Sequence, residues 1–241
     1  MPMVKTRTSS EFVSRESSLE LARWSSYPRK TLPRLRSERS DCHPHDPLVI
    51  GVDVARYGAN ETVIFFRKGR DARSIQPVRL RGASVVQVAA KVSEVCSTHH
   101  VDAVFVDGGG VGGGVVDNLR ALHVHCFDIQ FGSKAEAMGF AWGTEGERYA
   151  NKRAEIWGSM RIVVEVGEPF LTNQTLLAQL VGPTYTYNLK NEILLEKKEE
   201  MMKRGLDSPD LADALALTFS MPVQKHAYAG SDQSAEAIGR I

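Results

Sequence analysis

Four aspartates in three separated stretches have the types and spacing to do chemistry. Asp53 interrupts an apolar run in "VIGVDVAR", Asp107 closes another in "VDAVFVDGGGVGGGVVDNL", and Asp210 and Asp213 open "SPDLADALALTF". A carboxylate inside a strand of Val and Ile is costly unless it is hydrogen-bonded, paired or metal-bound. Asp210 and Asp213 stand at i and i+3, about 60° apart on a helix, so both project from one face. Converging carboxylates with no obvious cationic partner repel, and they raise one another's pKa values unless divalent cations neutralise them. Hard oxygen ligands with room for water suit Mg²⁺ or Mn²⁺. Two such ions can activate a water and stabilise the leaving oxygen of a phosphodiester. The expectation is a pair of Mg²⁺ or Mn²⁺ ions on Asp53, Asp107, Asp210 and Asp213, the same four acting as the catalytic set.

Each acid also has a plainer explanation. A structural hydrogen bond would satisfy Asp53, and an acidic first turn compensates the helix dipole at Asp210. Gly108, Gly110 and Gly113 satisfy GxGxxG, with Asp128 about twenty residues on, as a dinucleotide-binding turn requires. Asp107 directly before the first glycine is atypical of that turn. On the metal reading, Gly108–Gly110 and Gly112–Gly114 let the backbone bend beside Asp107 without side chains in the way, and the first helical N–H groups can face a phosphate.

The elements must bring these residues together. "DPLVIGVDVARYG" predicts a central strand at Leu48–Val54, "ETVIFFRKG" a second strand and "SIQPVRLRG" a third, joined by short turns as an antiparallel meander. Pro77 places the third strand at an edge. "SVVQVAAKVSEVC" has helical spacing with Ser84 as its cap. "DAVFVD" is a short buried strand, "GGVVDNLRAL" a helix and "VHCFDIQFG" a further strand. "YANKRAEIWGSMRIVVEV" is a long helix with Ala150, Ala154, Trp157 and Met160 or Arg161 along one side. "TYTYNLKNEILLEKKEEMMKRG" reads as a hairpin with Asn188 and Asn191 flanking its turn and a charged helical exit. In the last helix Ser208 is the expected N-cap and Pro209 the first helical residue. Leu211, Ala214, Leu215 and Thr218 form an apolar stripe to one side, with the two acids at its margin. A meander followed by parallel strands joined through helices predicts a ribonuclease-H-like α/β fold, a mixed sheet with helices on both faces. Asp53 and Asp107 then end neighbouring parallel strands, and the last helix covers that end.

The rest of the chain bounds the alternatives. Its 241 residues are 42% hydrophobic and 24% charged with a net charge of +1, which suits one sizeable domain and gives no global argument for nucleic acid or membrane. Residues 1–46 are rich in Ser, Arg and Pro and read as a basic, weakly ordered linker in which only "SSLELARW" could form a short helix. The nuclease-like domain spans 47–223 and a flexible tail 224–241. Cys42, Cys96 and Cys126 form no CxxC pair, so neither a disulfide framework nor a zinc site is expected, although His99, His100, His123 and His125 lie near two of them. There is no long apolar run and no signal-peptide core, so a cytoplasmic chain without membrane contact is expected.

The stretches "PLVIGVDVARYGANETVI", "VDAVFVDGGGVGGGVVDNL", "YANKRAEIWGSM" and "ILLEKKEEMMKRGLDSPDLADALALTF" are together similar to the C-terminal nuclease domain of the large terminase subunit of tailed phages and prophages. The resemblance runs from about residue 47 to 223, and "EFVSRESSLELAR" resembles the segment that links the packaging ATPase to the nuclease. It implies an endodeoxyribonuclease that cuts concatemeric viral double-stranded DNA at the start and end of genome packaging in the host cytoplasm. The partners implied are the terminase ATPase, the small terminase subunit and the portal. Asp53 and Asp107 match the first two acidic metal ligands, Asp213 the acid of the final helix, and Asp210 a neighbouring position that also approaches the metals. No GxxxxGK[ST] occurs here, so the motor is expected outside this chain, which reads as a separated nuclease segment, a shortened chain or a prophage remnant. Asn60 stands where relatives often have an acid and receives no role. Lys197, Lys198, Lys203 and Arg204 are candidates for steering DNA phosphates, with Arg56 and Lys134 behind them. The alternative for "EKKEEMMKR" is a solvated helix with pairs such as Glu199 and Lys203.

Four rivals stay open. A dinucleotide-binding enzyme rests on the glycine pattern alone. A sugar-kinase or actin-like ATPase would pair two such domains, and this chain has room for one. A Holliday-junction resolvase shares fold and metals but cuts branched DNA. A non-catalytic DNA-binding or packaging module would keep the acids without using them.

Overall fold

The computed structural model describes residues 22–23, 42–55, 61–136, 148–165 and 174–225. Its core strand is β2, Leu48–Asp53, in which all six residues are buried. A strand covered on both faces needs a continuous apolar run, and "LVIGV" supplies one. β3 (Thr62–Lys68) and β4 (Val78–Leu80) pair antiparallel on one side of it, while β5 (Ala103–Asp107) and β6 (Phe127–Ile129) pair parallel on the other, in the order β4-β3-β2-β5-β6. This is the expected meander with two parallel strands appended, and the strand containing Pro77's neighbour Val78 lies at the edge as that proline requires.

Period-2 alternation divides the apolar side chains between two layers. Ile50, Val52, Ile64, Phe66, Val104 and Val106 pack with α1 (Val85–His99) and α2 (Gly112–Ala121) on one face. Val49, Val63, Phe65 and Phe105 pack on the other face with α3 (Lys152–Glu165), α4 (Gln174–Val181) and α6 (Asp210–Leu217). Ser84 caps α1 in a full capping box with Gln87. Ala154, Trp157 and Met160 are buried together along α3, as its spacing predicts. Ala150 precedes that helix, and its N–H donates to the Ile193 carbonyl.

A second sheet joins β1 (Ala22–Arg23), β7 (Thr184–Tyr187) and β8 (Ile193–Leu195). The β7–β8 hairpin turns where expected: Asn191 takes a φ of 57°, and the Asn188 side-chain oxygen accepts from the Lys190 and Glu192 amides. Ala22–Arg23 corrects the helix expected in "SSLELARW": these two residues are extended and pair antiparallel with Tyr185 and Thr184. The rest of that stretch, Arg56 and Asn60 lie outside the described residues.

Two expectations about the last helix are also corrected. The N-cap position is Pro209, not Ser208, and it makes no side-chain cap. The Ser208 hydroxyl donates instead to Asp210 Oδ1 at 2.5 Å. All eight residues of the helix, Asp210–Leu217, are buried. Gly51 explains how so short a helix is sealed. A Cβ at position 51 would overlap the Ala214 carbonyl oxygen and stand 2.9 Å from Leu217 Cβ. Its absence lets α6 lie directly on β2, which brings Asp210 and Asp213 within reach of Asp53.

Candidate active site

Asp53 ends β2 and Asp107 ends the adjacent parallel strand β5, with Val52 opposite Val106. Both carry odd numbers on strands whose odd residues face α6, so both side chains start on the same face of the sheet. Together with Asp210 they line a cleft of about 450 Å³, which Phe131, Arg153 and Lys198 help to close. Gly112 holds the turn after Asp107 close, since a Cβ there would overlap the Asp107 carbonyl oxygen.

The acids were expected to lack cationic partners, and here the structure corrects the expectation. Lys198, the first residue of α5 (Lys198–Lys203), directs its ammonium into the cluster. Its Nζ lies 2.8 Å from Asp53 Oδ2, 3.0 Å from Asp213 Oδ2 and 3.4 Å from Asp210 Oδ1. Arg153 grips Asp213 through two bonds, Nε to Oδ1 at 3.0 Å and Nη2 to Oδ2 at 3.2 Å. Trp157 Nε1 donates to the same Oδ1 at 2.7 Å. The Glu61 amide donates to Asp210 Oδ2 at 3.2 Å.

These contacts divide the electrostatics. Burial pushes Asp53 up to about 7, and the Asp213 and Asp210 charges add to that while Lys198 opposes it. Burial likewise raises Asp107 to about 6, against the Gly109 amide and Lys198. Burial would raise Asp213 too, but Arg153 and Lys198 outweigh it and hold the carboxyl below the ordinary range. Burial disfavours the Lys198 ammonium, yet the surrounding carboxylates outweigh that and keep it firmly protonated.

The other basic candidates diverge. Lys197 is exposed at the mouth of the cleft. Lys203 is exposed and pairs with Glu200 at 2.7 Å, three residues back, in place of the expected Glu199. Arg204 binds Glu196 and the Gly182 carbonyl. Lys134 is exposed in the loop after β6.

Arg153, Trp157, Ser208 and Gly51 do not stand out as site residues in the sequence. Arg153 had a signal, since it lies four residues before the core-facing Trp157 and so on the same face of its helix.

The cysteine–histidine set lies elsewhere. Cys96, His123 and His125 border a cavity of about 670 Å³ beside the amino-terminal ends of β5 and β6. His99 meets Phe66 edge-on, as His125 meets Phe127. Among the described residues, no group of three His, Cys, Asp or Glu side chains is arranged to hold a metal ion as it stands. No helix among them is long and apolar enough to cross a membrane.

A mixed five-stranded sheet with two buried layers and acids at the ends of its central parallel strands is a ribonuclease-H-like architecture. No protein-family model matches the sequence, and no curated protein matches it. Solved structures do match. The nuclease domain of the large terminase subunit gp2 of bacterial virus Sf6 is 18% identical, with a TM-score of 0.61 over 84% of this chain and 99% of that one. A lysine-to-alanine variant of that domain with manganese is 16% identical, with a TM-score of 0.63 over the same shares. The large terminase nuclease from thermophilic phage G20c with bound magnesium is 17% identical, with a TM-score of 0.53 over 79% of this chain and 96% of that one. The chain therefore has the fold of phage large terminase nuclease domains.

Proposed function

We propose that the protein is a metal-dependent DNA endonuclease that cuts concatemeric viral DNA during genome packaging. The observation that carries this reading is the convergence of Asp53, Asp210 and Asp213 on one cationic nitrogen, Lys198 Nζ, within 2.8–3.4 Å, with Asp107 on the same cleft. Carboxylate oxygens gathered around one positive charge are a donor set that fits Mg²⁺ or Mn²⁺. Asp53, Asp107 and Asp210 would hold the ions, and Asp213 would contribute Oδ2 once Lys198 withdraws. Bound there, two such cations would activate a water and neutralise the leaving oxygen of the phosphodiester.

The chain's own residues have distinct parts in this reading. Arg153 and Trp157 fix Asp213. Ser208 and the Glu61 amide orient Asp210. Lys198 balances the acids before the cations arrive, so that the site does not burst apart by repulsion. Lys197 at the cleft mouth meets the incoming strand, with Lys203, Arg204 and Lys134 as further contacts on the same double-stranded DNA. The terminase ATPase, small subunit and portal are the partners this role requires, in the host cytoplasm.

Purified protein incubated with plasmid and Mn²⁺ or Mg²⁺ should cut it, and Asp53→Ala and Asp107→Ala should not. Cleavage that survives either substitution would overturn the assignment. A second reading, a DNA-binding module without cleavage, is favoured by the same lysine, which already satisfies the acids. It predicts DNA binding by the wild-type protein with no cutting at any metal concentration.

A further inference from the structure

The edge of the sheet beside the cleft carries a charged group that the nuclease chemistry does not use. Asp53 pairs with Val63, and Val63 pairs with Arg79, so the three stand in one row across β2, β3 and β4. Residues in register share a face, and Arg81, just past the end of β4, reaches the same carboxylate as Arg79. Strands lie about 4.8 Å apart, so the Arg79 backbone is roughly 10 Å from that of Asp53.

Glu61 holds both arginines. Its Oε2 accepts from Arg79 Nε at 2.5 Å, and its Oε1 accepts from Arg81 Nε. The Glu61 side chain is only 10% exposed, whereas the arginine side chains are 44% and 79% exposed. Burial would raise the Glu61 pKa, but the two guanidinium groups outweigh it and keep the carboxylate ionised. Each guanidinium is thus tethered through Nε, and its forked pair of η nitrogens makes no hydrogen bond or ion pair among the described residues. A tethered fork with its open side outward is the geometry that receives a phosphate through two parallel bonds. The trio keeps a charge of +1 after its internal pairing. The Glu61 amide also donates to Asp210, so the group is tied to the cleft through one residue.

We propose that Arg79 and Arg81, clamped by Glu61, grip backbone phosphates of the DNA strand that enters the carboxylate cleft. The proposal rests on the nuclease reading of that cleft. One strand carries a phosphate per 3.4 Å of helix rise, so a clamp in the same row as Asp53 meets the strand within a few phosphates of the point of cutting. It positions the substrate and does not touch the reacting atoms.

The test is the double variant Arg79→Ala/Arg81→Ala. In an Asp107→Ala background, which keeps DNA intact, binding of a fluorescent 30-base-pair duplex is measured against salt with Mg²⁺ present. The slope of log K on log[salt] should become shallower by about 1 to 2, one unit for each phosphate that the arginines no longer neutralise. In the otherwise wild-type protein, KM for DNA should rise at least fivefold with kcat at saturating DNA unchanged, a split that a merely structural role would not produce. Arg79→Lys/Arg81→Lys keeps the charge and loses the fork, so it should restore the salt slope while KM stays raised. Should the double alanine variant lose its fold, Arg81→Ala alone repeats the measurement at the more exposed position. Wild-type protein that cuts DNA, with a double variant equal to it in slope and KM, overturns the clamp and leaves the nuclease standing. Wild-type protein that binds duplex but never cuts it overturns the nuclease reading, and a shallower slope in the variant would still support the clamp. Wild-type protein that binds an acidic peptide and no duplex overturns both.

Discussion

The carboxylate cluster has a sealed end, Asp213, and an open end, Asp107, and the two differ in kind. Asp213 is fully buried, and both its oxygens are taken, by Arg153, Trp157 and Lys198. Asp107 is half-buried on the cleft and is met by backbone amides, with no ion pair among the described residues. Burial acts on both, yet it lifts Asp107 to about 6 while paired cations hold Asp213 down. A sealed acid with every lone pair engaged fixes geometry and can free an oxygen only when Lys198 leaves it; an open acid with few partners can take a new one at once. The two ends should therefore fail differently, one through stability and the other through chemistry.

The largest effect should come at the open end. Asp107→Ala removes a carboxylate that the proposed nuclease turns toward its metal ions and that is met by a backbone amide. Its cleavage rate should drop on the order of 10⁴-fold, about 5.5 kcal/mol in the barrier, while the thermal midpoint moves by no more than about 2 °C, the shift of a change under 1 kcal/mol. A large loss of stability at Asp107 would break the contrast.

Next comes the sealed end. Arg153→Ala leaves the buried Asp213 carboxylate without its two-point partner, which costs about 3–5 kcal/mol for a buried pair broken on one side. Calorimetry should record a fall of roughly 6–20 °C. Arg153→Met with Asp213→Leu should recover part of it, because two apolar residues leave no stranded charge. Recovery of stability without recovery of cleavage would sharpen the division.

Gly51→Ala sits between the two. The new methyl must push the Ala214 carbonyl away from β2, costing about 1–3 kcal/mol as an overpacked core does. Displacing α6 also moves Asp210 and Asp213 relative to Asp53. Cleavage should fall more than the stability loss explains, read as kcat at a temperature well below the midpoint.

The sequence made the four acids legible and hid the partners that seal Asp213. Asp53 and Asp107 stand out because a carboxylate in a Val/Ile strand is costly unless it is hydrogen-bonded, paired or metal-bound. The sheet order followed from alternation, turn residues and Pro77. Lys198 was hidden because "EKKEEMMKR" has the spacing of a solvated helix, and helix periodicity alone does not tell which lysine turns inward. Arg153 was hidden because a buried arginine is declared by its partner, and Asp213 lies sixty residues away. Ser208 looked like a cap from local rules, but a carboxylate two residues on competed for its hydroxyl. Two strand residues at Ala22–Arg23 within a helix-prone stretch owe their conformation to β7, a tertiary pairing that local propensity does not carry.

The smallest effect separates the ends by sign. Asp53 and Asp107 bind protons in the fold up to about pH 7 and 6, well above the unfolded value of 3.8. In the proposed nuclease, cations would have to displace those protons, so cleavage should fall about tenfold per unit as pH drops from 7 to 6, and more steeply once both acids are protonated. Linkage gives the opposite trend for metal-free stability. Between pH 4 and 7 the folded chain holds more protons at these two sites than the unfolded chain does, so their contribution is present at low pH and is lost as pH rises through 6 to 7. Asp213, held below the ordinary range, works the other way, and its contribution is lost only as pH falls through its own depressed value. Thermal midpoints of the metal-free wild type, referenced to Asp53→Asn/Asp107→Asn, should therefore rise from pH 7 to pH 5.5 while cleavage disappears. A midpoint that falls in step with activity over that window would mean that acid loosens the sealed end first, and the division of labour within the cluster would be wrong.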